Sequence, residues 1–391
     1  VISRLKGLLR TAVVAAFAAA TVVLYAAVLA PVSRIQRARR RRSGRPPRIL
    51  WAPVPIVNIR YSALADRVSG YPSETLVYGV YRINARADFD HVLDRWSAMP
   101  VVRQFVPYVV FLWAGLRYDV FGFFFDGGLL AATPQWRTEL ALLKLAGKRI
   151  VVYPYGGDAR LPSVVRARGG WHAYSDVPPG EEDRDEKAIR QRLDAFARYA
   201  DAMLGCADVY EELPRCDGML RYPFDQSGWE PANAPARNTV VVVHAPNHRH
   251  YKGTRHLEAA VATLQDEGLP VELELVEGLP NAEVRGIYRA ADVVADQFLI
   301  GAYALLAIEA MALGKPVLCY LNPRFREAHP EWDECPIVPA SPDTLVEELR
   351  RLVLDPGLRE SLGRRGPAYV RRYHSLESVG RDMDAIYRSF D

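Results

Sequence analysis

The longest apolar run comes first. From Thr11 to Val32 (TAVVAAFAAATVVLYAAVLAPV) no side chain carries a charge, and about 20 such residues suffice for a helix to cross a bilayer. The pattern then changes to short apolar runs of strand length. Ile49–Pro53, Glu74–Gly79, Asp119–Phe125 and Arg149–Pro154 form one set, and Thr239–His244, Val271–Val276, Asp292–Ala295 and Pro316–Tyr320 a second. Helical periodicity separates them. It covers about Tyr61–Ser69, Val92–Leu116, Pro134–Leu145 and Ala188–Met203. In the second half it covers Thr254–Glu267, Ala282–Ala290, Ala302–Leu313, Pro342–Leu354, Gly357–Arg371 and Leu376–Phe390. Such alternation predicts an α/β protein whose parallel sheets carry helices on both faces. Residues 176–187 read as a polar, mobile segment, and residues 226–238 as a linker between two Rossmann-like halves. The expected domains are 1–47, 48–232 and 233–374, with a helical tail over 375–391. A cleft between them would face the carboxyl ends of the strands.

Charge changes the picture more than composition does. The formal net charge is +4, yet residues 1–48 hold eleven basic residues and no acidic one, leaving a net of −7 on the rest. The folded part is mildly acidic, so no nucleic-acid partner is expected. Arg4, Lys6 and Arg10 precede the apolar run, and eight arginines from Arg34 to Arg48 follow it. That asymmetry puts the C-terminal side in the cytoplasm and gives the arginines anionic inner-membrane lipids as partners. A single-pass protein of the cytoplasmic membrane is expected. A cleaved signal peptide and a helix lying in the interface are the alternatives; Pro31, directly after the candidate cleavage site, and the arginine run oppose the first. The four cysteines contain no CxxC pair, which argues against a zinc site or a disulfide framework.

Two segments carry candidate chemistry. In HAPNHRHYKGTRHLE (residues 244–258), a strand ends in a polar loop, and Lys252-Gly253-Thr254 opens a helix. Backbone N–H groups at such a start, with Arg249 and Lys252 nearby, suit a diphosphate; a solvated basic loop is the plainer alternative. His244, His248 and His250 lack an acidic or thiol ligand at metal spacing, so no metal is expected. In LIGAYALLAIEAMALGKP (residues 299–316), Glu309 sits on an otherwise apolar helix. A carboxylate there needs a partner, either a ligand or backbone amides. On the opposite lobe, candidate acceptor-binding residues lie at strand ends: Asn58 and Arg60, Asp126 and Gly127, and Gly156, Gly157 and Asp158. Asp158 would orient or activate a hydroxyl, unless it is a turn Asp bonded to its own backbone.

The KGT…EAMALGKPV combination, over roughly residues 238–372, resembles the C-terminal domain of GT-B glycosyltransferases of the large retaining family 4, which includes sucrose synthases and many bacterial polysaccharide enzymes. The resemblance implies a nucleoside-diphosphate sugar as donor, no bound cofactor or metal, and a tail that crosses back onto the first domain. Lys252 matches the lysine that contacts donor phosphates. Glu309 matches the second glutamate of an E-x7-E motif, which holds the donor ribose, and belongs with Asp158 in the expected catalytic set. Position 301 holds Gly in place of the first glutamate, and Asn247 stands where an arginine is usual, making Arg249 a displaced substitute. Asp296, beside Gln297, would stand in for part of the missing acid. The donor set is thus Arg249, Lys252, Gly253, Thr254, Asp296, Gly301, Ala302 and Glu309. The expected function is sugar transfer, with retention, to a cell-envelope glycan or lipid-linked acceptor. The alternative is a catalytically inactive sugar-nucleotide-binding subunit of an envelope assembly complex.

Overall fold

The computed structural model describes residues 2–390, without the side chains of residues 2–10 and 282; the expected flanking charges Arg4, Lys6 and Arg10 therefore lie outside the described residues. Two fully parallel sheets organise the chain. The first contains β1 (Ile49–Trp51), β2 (Ser73–Val77), β3 (His91–Val92), β4 (Val120–Phe123), β5 (Arg149–Val152), β6 (Ala202–Gly205) and β7 (Gly218–Met219), in the order β3-β2-β1-β4-β5-β6-β7. The second contains β8 (Val240–His244), β9 (Val271–Leu275), β10 (Val293–Ala295), β11 (Val317–Cys319) and β12 (Ile337–Pro339), in the order β12-β11-β10-β8-β9. The order reverses between β1 and β4 in one sheet and between β8 and β10 in the other. Ligands bind open sheets of this kind at that switch point.

The strands are short and apolar because both faces are covered. Every residue of β1, β4, β6, β8, β10 and β11 is buried. The helix Leu376–Arg388 returns to the first sheet and packs on the helix Val57–Val68. Tyr387 donates to Asp66 Oδ1 at 2.8 Å, and Asp66 Oδ2 accepts the Trp51 indole at 2.7 Å. Val379, Met383, Tyr387 and Phe390 thereby join the core that contains Trp51, Ile59 and Tyr153.

The N-terminal segment is one helical rod from Ile2 to Arg42, with a π-turn at Tyr25–Leu29. The arginines from Arg34 to Arg42 continue this helix. A single stripe of the rod docks on the first domain. Phe17 meets Phe105 edge-on at 5.1 Å, Tyr25 stacks on Phe111 at 4.4 Å, and Ser33 donates to Gly115 O at 2.8 Å. Arg40 pairs with Asp119, and Arg37 donates to the Gly147 carbonyl. Gly115 is required here, since a Cβ would lie 2.5 Å from the Tyr25 ring. The rest of the circumference stays open: the window of mean hydropathy 2.4 is only 17% buried.

Candidate functional site

Two loops meet at the switch point of the second sheet. β8 ends at His244, which donates through Nδ1 to Ala295 O (2.8 Å) and accepts through Nε2 from the Thr254 hydroxyl (2.9 Å). Burial pushes this imidazole down to about 4, so it is a neutral pin between the two strands and the following helix. The Thr254 hydroxyl is committed to that pin. What this helix start offers an anion is its first-turn backbone N–H groups.

Lys252 closes the short turn Arg249–Lys252, and Gly253, at φ 73°, redirects the chain into the helix Thr254–Asp266. The Lys252 carbonyl accepts Phe298 N at 3.0 Å, so the turn is fastened to the loop after β10. Its Nζ lies 3.2 Å from Asp296 Oδ1 and also donates to Gln297 Oε1. The other Asp296 oxygen accepts Ala304 N at 2.8 Å, and the Gln297 amide donates to the Ala302 carbonyl. Asp296 is fully buried while the Lys252 side chain is 17% exposed. An ammonium has three donors. Two are held from behind, which fixes the group and leaves one for an anion. Asp296 and Gln297 were expected to replace a missing sugar ligand; they are instead spent on holding Lys252 and the loop.

Glu309 lies half-buried on the helix Leu305–Ala312. Among the described residues, its carboxylate has no hydrogen-bond partner. Burial, then the charge of Asp296, raises it to about 8, with Arg285 opposing. Tyr61, on the helix after β1, and Tyr288 both feel its charge. Lys252 and Glu309 thus both couple to Asp296, one by contact and one through its field.

Gly301 departs from the expectation. It adopts φ 85°, and a Cβ there would fall 2.8 Å from Asn322 Cβ and 3.3 Å from Phe325. The close approach that glycine permits is to this chain's own residues 320–325, and Gly301 O accepts Asn322 N at 2.8 Å. Ala302 is buried, with its carbonyl engaged by Gln297. Arg249 is exposed and forms a bidentate pair with Glu277 (2.9 and 2.6 Å) plus a contact to Glu258 at 3.3 Å. Its charge is already countered on the surface.

Across the gap, Asp126 accepts from the Tyr155 hydroxyl and the Arg184 guanidinium, with Arg192 at 3.6 Å. Gly157 lies beside Arg184, while Gly127 closes a short turn onto Phe124 O (3.1 Å). Asp158 is a correction. It is 1% exposed, and it accepts from Phe125 N (3.0 Å), Tyr155 N (3.0 Å) and Gly156 N (2.9 Å). Its carboxylate ties two loops together and presents no face to a substrate hydroxyl. Asp158→Ala is expected to cost about 1–3 kcal/mol of stability by orphaning buried donors, seen as a lower urea midpoint; an unchanged midpoint would free Asp158 for another role. Arg60 pairs with Asp88 at 3.0 Å, whereas Asn58, in the same helical turn, is half-exposed with no hydrogen-bond partner among the described residues.

Composition alone missed the bridge between the lobes. The segment expected to be mobile is docked. Arg184 reaches Asp126, Asp176 accepts Arg255 Nε at 2.8 Å with His256 at 3.2 Å, and Asp183 N donates to the Tyr251 hydroxyl at 3.3 Å. Farther along, Arg324 Nε pairs with Glu211 at 3.0 Å. A cavity of about 300 Å³ opens there between the lobes, bordered by Arg168, Trp171, Tyr320 and Asn322. Among the described residues, no cluster of three His, Cys, Asp or Glu side chains is placed to hold a metal ion.

Residues 238–369 match the family model described as "Glycosyl transferases group 1". Over 190 residues the chain is 27% identical to the MMP alpha-(1->4)-mannosyltransferase of Mycolicibacterium hassiacum, covering 42% of this chain and 46% of that relative. The chain thus spans about half the length of that curated relative. In three dimensions it is similar to a sucrose-phosphate synthase from Thermosynechococcus elongatus, with 15% identity, coverage of 88% and 99%, and a TM-score of 0.54. It is also similar to an alpha-glucosyltransferase in complex with UDP and DNA containing an HMU base, with 10% identity, coverage of 88% and 99%, and a TM-score of 0.55.

Proposed function

From a GT-B-like α/β fold whose second half is related to the group 1 glycosyl transferases, we propose that this chain is a hexosyltransferase that carries a sugar from a nucleoside-diphosphate sugar to a cell-envelope glycan or lipid-linked acceptor, with retention at the anomeric carbon. The observation that carries the proposal is a fixed, incompletely bonded Lys252 ammonium and an unpartnered Glu309 that both couple to Asp296. The ammonium and the first-turn amides after Gly253 neutralise the departing diphosphate, stabilising charge where it develops. Glu309 takes the ribose hydroxyls. The residue 48–232 lobe holds the acceptor near Asp126 and Asn58, the 233–374 lobe holds the donor, and the helix Leu376–Arg388 braces the first lobe. The helix containing Thr11–Val32 attaches the enzyme to the cytoplasmic membrane with both lobes on the cytoplasmic side. A lipid-carried acceptor and a cytosolic donor then meet at one surface.

The test begins with thermal shifts against UDP-, GDP-, ADP- and dTDP-sugars, because a ligand bound only by the native state raises apparent stability. Transfer to extracted membrane lipids follows. Binding without transfer to any acceptor would favour a non-catalytic subunit, the reading that Gly301 supports. Lack of binding by every nucleotide sugar would discard both.

Glu309 also predicts a pH dependence. Its protonated form is favoured below about 8 in the empty site, yet accepting ribose hydroxyls requires the ionised form. The diphosphate diester of a nucleotide sugar does not titrate in this range. Affinity should therefore rise with pH, by up to about tenfold per unit, and level off above about pH 8. Glu309→Gln should flatten the profile in titration calorimetry. An unchanged slope in that variant would detach Glu309 from the donor.

A further inference from the structure

We propose that residues 94–117 form a second lipid-facing element which, with the N-terminal helix, lies flat along one leaflet of the bilayer. The proposal rests on the membrane attachment proposed above and fixes its geometry. The helix Val106–Arg117 runs parallel to the N-terminal rod. Phe105 and Tyr108 meet Phe17, Phe111 stacks on Tyr25, and Gly115 bonds Ser33. The two helices share buried side chains along this length, so one cannot enter lipid without the other.

Both turn apolar side chains outward. On the rod, Val23 is 64% and Val28 49% exposed; alongside, Val109 is 54% and Trp113 37% exposed. The lead-in adds Trp96, Met99 and Val101 at 58%, 48% and 59%. Apolar surface of this extent is rare on soluble monomers. Its occupant is lipid because these side chains belong to a segment docked on a helix whose apolar window is 17% buried and whose length and hydropathy suit a bilayer. Arg95 and Arg103 stand within the same stretch, where they complement anionic headgroups.

The charges decide the orientation. At 1.5 Å per residue, Phe17 lies about 24 Å along the axis from Ser33. Phe105 lies ten residues, about 15 Å, along its own helix from Gly115, so an upright rod would carry it and the neighbouring Arg103 towards the middle of the hydrocarbon core of about 30 Å, where a charge is costly. A rod lying in the interface keeps both arginines at headgroup level and lets tryptophans sit where their rings are favoured.

Single cysteines at Val23, Val28, Val109 and Trp113, with Glu360→Cys as an aqueous control, are introduced into the full chain carrying Cys216→Ser. Each is labelled with an environment-sensitive fluorophore and bound to phosphatidylcholine–phosphatidylglycerol vesicles containing lipid spin-labelled near or far from the headgroup. The expected result is at least twofold quenching at all four positions, stronger from the shallow label, and none at 360. Quenching at 23 and 28 without 109 and 113 overturns the inference while leaving membrane attachment intact. Stronger quenching of position 23 by the deep label indicates an upright crossing and overturns the flat arrangement. No quenching anywhere overturns the inference together with the attachment on which it rests.

Discussion

Lys252→Ala is expected to weaken nucleotide-sugar binding by about 10- to 150-fold, the equivalent of one charge-assisted hydrogen bond worth roughly 1.5–3 kcal/mol. The third N–H of the ammonium is the only donor of Lys252 not already taken by Asp296 and Gln297. Removing the side chain has a second effect. Asp296, fully buried, loses its counter-charge, and breaking a buried pair costs about 3–5 kcal/mol. Affinity and stability would then fall together in the single variant. The double variant Lys252→Ala/Asp296→Asn separates them, because the amide needs no cation. It should regain most of the lost thermal stability while binding as poorly as the single variant above about pH 8, where Glu309 is ionised with or without the charge of Asp296. Titration calorimetry on both proteins reads the difference. Parental affinity in a folded Lys252→Ala protein would end the donor-site assignment.

Restoring the acid at position 301 should damage the protein rather than improve it. Gly301→Glu places an L side chain at φ 85°, with its Cβ 2.8 Å from Asn322 Cβ. The backbone strain is about 1–2 kcal/mol, and overpacking adds about 1–3 kcal/mol. A loss of about 2–5 kcal/mol is therefore expected, visible as a lowered urea midpoint with an unchanged slope. A variant as stable as the parent and faster in transfer would mean that the loop over residues 299–304 still has room for the acid. On the present geometry that room is filled from residues 320–325, so the glycine is required by the loop's own packing.

The sequence made much of the second sheet legible. Thr239–His244, Val271–Val276 and Pro316–Tyr320 overlap β8, β9 and β11 to within one or two residues, because strands buried on both faces appear as continuous apolar runs. β12 (Ile337–Pro339) was missed because Pro336 precedes it and Pro339 ends it, and prolines argue against a strand within a sheet. β6 was lost inside the helix expected to run to Met203, because Ala202 and Met203 suit either element. Pro100 and the charges around it broke the long helix expected over 92–116 into β3, short turns and the helix Val106–Arg117. At the site, residue type and spacing picked out Lys252 and Glu309 as candidates. They could not separate an acid left without a hydrogen-bond partner from one bonded to backbone. Asp158 and Asp296 look as functional as Glu309 along the chain, and only their hydrogen bonds distinguish them.

The returning helix Leu376–Arg388 has a consequence for biosynthesis. Tyr387 and Met383 complete a core that includes Trp51, Ile59 and Tyr153, which leave the ribosome more than two hundred residues earlier. At roughly 5–20 residues per second, the nascent first lobe waits ten seconds or longer with that flank uncovered, and its indole-bound Asp66 lacks the Tyr387 hydroxyl throughout. The lobe made first thus stays unfinished until the second lobe has been made, and during that interval its uncovered flank is open to a chaperone.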